Sequence, residues 1–112
     1  MKPYSRCGRR KATFYAVFDL VDFLNCAPNS SVYEVQVFLW PHLASKWPRN
    51  RAVDNNYQVR DRRWVRLMRV CEEWGVPIVR DGGRGGQPYR VSTPFTLVEL
   101  DKVFARLGVQ IQ

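Results

Sequence analysis

Residues Val59–Val91 read VRDRRWVRLMRVCEEWGVPIVRDGGRGGQPYRV, a basic helix, a sharp stop and a glycine-tipped hairpin in that order. A helix over about 60–74 turns by about 100° per residue. It gathers Trp64, Leu67, Met68, Cys71 and Trp74 on one side. Arg62, Arg66 and Arg69 gather on the opposite side, with Arg60 and Arg63 flanking them and Val65 and Val70 at the borders. Gly75 supplies the left-handed residue that ends a helix, and Pro77 forbids its continuation. Ile78–Arg80 and Tyr89–Val91 are short β-prone runs around Asp81-Gly82-Gly83-Arg84-Gly85-Gly86, which predicts a hairpin over about 77–91 with a long tip.

A helix followed by a hairpin, both rich in arginine, is the second half of a winged helix-turn-helix. The same residues resemble the recognition helix and wing of DeoR-type transcriptional regulators and of the biotin repressor's N-terminal domain. That pattern runs from an apolar residue through a polar pair and an arginine into a helix. Gly-x-Pro-Ile follows, then a glycine-rich wing ending in an aromatic. Its slots hold Val59, Arg60-Asp61, Arg62, the helix to Trp74, Gly75-Val76-Pro77-Ile78, and Gly85-Gly86 before Tyr89. Two departures stand out: Arg60 occupies a place often taken by a small hydroxyl residue, and Gln87-Pro88 lengthen the wing. The resemblance covers about a third of the chain. It implies duplex DNA binding but no ligase activity, because the repressor's catalytic domain has no counterpart in this sequence.

Charge distribution agrees with that implication. The chain of 112 residues carries a net +8. Residues 1–11 hold five Lys or Arg and no acid, and residues 12–45 hold three acids and no Lys or Arg. Residues 46–69 hold eight basic side chains against Asp54 and Asp61, and the remainder balances. Positive charge concentrated in a tail and along one helix face is an electrostatic footprint for nucleic acid. The plainer reading is a solvated surface kept soluble by charge.

Residues 1–11 read as a flexible basic arm whose Arg9, Arg10 and Lys11 reach a minor groove or phosphates, and residues 12–112 as a single winged-helix domain. Ala12–Cys26 has Phe14, Val17, Phe18, Val21 and Leu24 at helical spacing. Tyr15 and Phe23 exceed what one face needs; they serve either a dimer contact or packing against the C-terminal helix. Ala27–Ser30 is a turn. Ser31 with Glu34 is a capping-box pattern for a helix from Val32 to about Trp40, which Pro41 kinks or restarts. Residues 48–58 exceed the three or four residues that join a compact helix-turn-helix. They form either an inserted loop with Arg49 and Arg51 on phosphates, or an earlier start of the recognition helix capped by Asp54 or Asn55. Thr96 with Glu99 is a second capping box. It opens a helix over about 96–107 that Gly108 closes, with Leu97, Leu100, Val103, Phe104 and Leu107 on its apolar face. That helix either dimerises or completes the core.

The sequence therefore predicts an α+β fold, mainly helical with a small β-hairpin. It predicts a cytoplasmic, sequence-specific double-stranded DNA-binding protein, a small regulator of bacterial or phage type. Arg62, Arg63, Arg66 and Arg69 are available to guanine edges or phosphates, Arg60 to phosphate, and Arg84 to the neighbouring groove. The second reading is a winged-helix protein-interaction module. No enzyme, cofactor or metal site is expected: His42 is the only histidine, and Cys7, Cys26 and Cys71 include no Cys-x-x-Cys pair. The glycine cluster lacks the Lys-Ser/Thr and following helix of a phosphate loop. No run approaches the roughly 18 apolar residues of a membrane span, and the basic N-terminus lacks the apolar segment of a signal peptide.

Overall fold

The computed structural model describes residues 8–43, 57–82 and 89–108. Its elements are α1 (Gly8–Cys26), β1 (Ser30–Ser31), α2 (Val32–Leu39), a 3-10 turn (Pro41–Leu43), α3 (Tyr57–Trp74), β2 (Val79–Gly82), β3 (Tyr89–Ser92) and α4 (Leu97–Arg106). Helices dominate, and the strands form one antiparallel sheet in the order β1-β3-β2. The α+β class expected from the sequence is the one observed.

The helix boundaries follow from local chemistry. At the start of α2, Ser31 Oγ accepts the Glu34 N–H at 3.1 Å. Both halves of the Thr96–Glu99 capping box are present at α4. The end of α3 is a Schellman motif: Val76 N–H donates to Cys71 O at 2.8 Å and Gly75 N–H to Glu72 O at 3.2 Å. Gly75 sits at φ 73°, a conformation only glycine adopts without strain, and Val76 is buried beside it.

One start differs from expectation. α1 begins at Gly8 rather than Ala12, so Arg9, Arg10 and Lys11 lie in its first turns and not on an arm. Arg, Lys and Ala are strong helix formers. Once the apolar stretch nucleates a helix, each added residue gains a hydrogen bond until glycine weakens it. α3 begins at Tyr57, before Arg60, in line with the alternative of an earlier helix start, whose proposed cap at Asp54 or Asn55 lies outside the described residues. The connection carrying Arg49 and Arg51 lies outside the described residues, as does the Arg84 tip.

Phe14, Val17, Leu20, Val21 and Leu24 make α1 the central element of the core. Leu67 and Cys71 of α3, Val35 of α2, Val91 of β3, and Leu100, Val103 and Phe104 of α4 close around it. The aromatic surplus has a structural use. Phe14 meets Phe104 edge-on at 5.6 Å, while Phe23 stacks on Phe38 of α2 at 4.6 Å. Of the two aromatics held in surplus, Phe23 therefore packs against α2. α4 docks on α1 through its predicted face, although Leu107 at its end stays exposed.

β1 belonged to no expected element. Ser30 pairs with Val91 and Ser31 with Arg90, so the hairpin of β2 and β3 is anchored on its β3 side to the turn between α1 and α2. Arg90 Nη1 also donates to Asn29 O at 2.9 Å. The anchor leaves β2 as the free edge.

Candidate nucleic-acid interface

α3 carries the basic side chains and the core fixes its orientation. Trp64, Leu67 and Cys71 are buried, and Met68 and Trp74 pack partly against them. Arg62, Arg63, Arg66 and Arg69 are exposed. From Arg62 to Arg69 the helix rises about 10 Å, which matches the roughly 12 Å width of a DNA major groove. Arg62 Nε donates to Gln58 O at 3.4 Å, which draws this side chain back along the helix. Glu73, one turn beyond Arg69, is also exposed, so the basic stripe ends in an acid beyond Arg69.

Arg60 is not part of that surface. It is only 3% exposed, its Nη1 donates to Leu43 O at 2.6 Å, and its guanidinium carbon lies 5.4 Å from the centre of the Tyr33 ring. A phosphate contact from this residue is therefore overturned. A buried cation is tolerated only with partners, and these tie the 3-10 turn and α2 to the start of α3. The signal was present in the spacing: positions 60, 64, 67 and 71 continue the apolar stripe backward by one turn. Gln36 Nε2 adds a second tie, donating to Asp61 Oδ1 at 3.2 Å.

Arg63 and Arg66 do not point simply away from the protein. With Leu67 and Val70 they occupy successive turns of one α3 stripe and border a cleft against α1. The arginine surface is thus split: Arg62 and Arg69 face outward, whereas Arg63 and Arg66 stand at the cleft rim.

The sheet adds cations that the sequence reading did not single out. Arg80 and Arg90 are exposed on β2 and β3, and Tyr89 stands beside them, exposed where β3 leaves the tip. Asp81 pairs in register with Arg90, which offsets part of that charge. A short strand with no apolar face to mark its register carries no pattern that separates these residues from the wing tip.

Burial pushes the Cys71 thiol up to about 12, so it remains protonated at neutral pH, the form in which a thiol is a poor nucleophile. Among the described residues, no three His, Cys, Asp or Glu side chains come together as a metal-binding group. No helix among them is long and apolar enough to cross a membrane.

No family model, curated protein or solved structure matches the chain.

Proposed function

We propose that the chain is a winged helix-turn-helix that binds double-stranded DNA, with α3 as the recognition helix and the β2–β3 hairpin as the wing. The observation that carries this reading is the exposed set of Arg62 and Arg69, facing outward, with Arg63 and Arg66 beside them, on a helix whose opposite side is core. Support for the fold comes from the element order, helix-strand-helix-helix-hairpin, and from β1 pairing with the second hairpin strand. Arg62 and Arg69 reach phosphates or guanine edges, and Arg63 and Arg66 reach the flanking strand. Arg80 and Arg90 add positive charge on the wing strands, and α4 completes the core. The function is regulation of transcription by a small cytoplasmic protein, in keeping with the DeoR-like pattern of the helix and wing. No catalytic role is assigned to any residue.

The experiment is fluorescence anisotropy on random-sequence duplexes with a salt titration, combined with selection of preferred sequences. Four arginines on phosphates give a slope of log affinity against log salt of about −3.6. Enrichment of a motif establishes sequence preference, and a palindromic motif establishes a dimer. Absence of binding at low salt overturns the reading.

One observation favours a protein-interaction module instead: Phe38 of α2 is 47% exposed while stacked on half-buried Phe23 of α1, an exposed aromatic outside the arginine-bearing helix. Under that reading Phe38→Ala abolishes partner capture, and Arg62→Ala with Arg69→Ala leaves it intact.

A further inference from the structure

The cleft between α1 and α3 has a volume of about 610 Å³, within the range of roughly 300–1,000 Å³ typical of small-molecule sites. Its floor combines Trp40, at the end of α2, with Leu67 and Val70. The α1 wall is low because position 16 is alanine, where a larger side chain would fill the gap. Arg63 and Arg66 stand at the rim one turn apart, and no carboxylate is present among its described lining residues. An apolar floor with two adjacent cations, and no acid among the described lining residues, is complementary to an amphiphilic anion. The ring or acyl body of such a ligand covers indole and aliphatic surface. Its acid group takes charge-assisted hydrogen bonds from the guanidinium groups.

We infer that this cleft binds a small aromatic anion, a carboxylate or sulfonate on a ring system, and that its occupancy opposes DNA binding. The second half rests on the DNA-binding reading, because Arg63 and Arg66 serve both ligands. An acid group held by these two arginines removes them from phosphate contact and places negative charge beside the duplex. The cleft is thereby an effector site built into the recognition helix itself, with competition for the same cations as the coupling.

The probe is 1-anilinonaphthalene-8-sulfonate, compared with neutral N-phenyl-1-naphthylamine, on the full chain. Saturable one-to-one fluorescence enhancement is expected, at least about tenfold tighter for the sulfonate, the order that one charge-assisted hydrogen bond carries. Arg63→Gln and Arg66→Gln each weaken it by a similar factor. Ala16→Phe fills the cleft and abolishes probe binding while duplex affinity stays unchanged. Saturating sulfonate raises the apparent Kd for DNA in the parent chain and has no effect in Ala16→Phe. Equal affinity for the neutral probe, or full binding in a folded Ala16→Phe variant, overturns the site. Unchanged DNA affinity at saturating sulfonate overturns the coupling. A chain that binds no DNA at all fails the proposed function instead, and the two-probe comparison still decides the site.

Discussion

Phe14 of α1 and Trp74, the last residue of α3, stack with ring centroids 4.7 Å apart and planes inclined by 19°. Phe104 of α4 closes on both, edge-on to Phe14 at 5.6 Å and to Trp74 at 6.1 Å. Three helices thus meet in one aromatic cluster at the end of α3 remote from the start of its arginine stripe. Phe14 is almost fully buried, so Phe14→Ala removes its ring from the contacts with Trp74 and Phe104 and leaves a cavity. A loss of about 3–5 kcal/mol is expected from urea unfolding. A loss below about 1 kcal/mol would show that the cluster is not the joint between the helices.

Gly75 has open space around a hypothetical Cβ, with nothing within 4 Å, yet its φ of 73° lies in the left-handed region. Gly75→Ala therefore tests conformation without steric collision. It should cost about 1–2 kcal/mol, and Gly75→Asn should recover part of that, because asparagine tolerates this conformation better. Thermal unfolding of the two variants separates backbone strain from packing.

Arg60 and Arg62 are two residues apart and have opposite roles. Arg60→Ala deletes a hydrogen bond from a buried cation to Leu43 O and should cost about 2–3 kcal/mol. The salt slope of DNA binding should remain that of the parent. Arg62→Ala should change stability by less than about 0.5 kcal/mol and make the slope shallower by about 0.9. The salt titrations and melts of the pair read both effects. A shallower slope for Arg60→Ala would return that residue to the interface.

Cys71 gives the fold a dependence on alkaline pH. Its thiol is raised from 9.0 to about 12 by burial, so the unfolded chain loses this proton first as pH rises. The stability it contributes is complete below about pH 9 and declines as pH rises toward 12, at up to about 1.4 kcal/mol per pH unit. Urea melts at pH 8 and pH 10.5, compared between the parent and Cys71→Val, isolate this contribution from the tyrosines and lysines. At neutral pH a disulfide reagent should modify exposed Cys26 in the native state and reach Cys71 only on unfolding.

Much of the architecture was legible because its causes are local. The Ser31 and Thr96 caps, the glycine stop after Trp74 and the hairpin signal all act within a few residues. Helical period alone places Trp64, Leu67 and Cys71 in the core. The candidate interface was legible only in outline. Helical period separates inside from outside, but it does not reveal which neighbour stands beside each exposed arginine, and so it could not divide Arg62 and Arg69 from Arg63 and Arg66.

The amino-acid sequence by itself determined the α+β class, three of the helix ends and the arginine stripe, since hydrogen bonds and side-chain periodicity within one segment suffice for these. Only the tertiary structure decided the β1 pairing, the burial of Arg60 and the cleft against α1. Each of those depends on groups far apart in the chain: Ser30 meets Val91, Arg60 meets Leu43, and Arg66 shares a cleft with Ala16. A two-residue strand has no pattern of its own, and a charged side chain is admitted to the core only when packing brings a carbonyl and an aromatic ring to meet it.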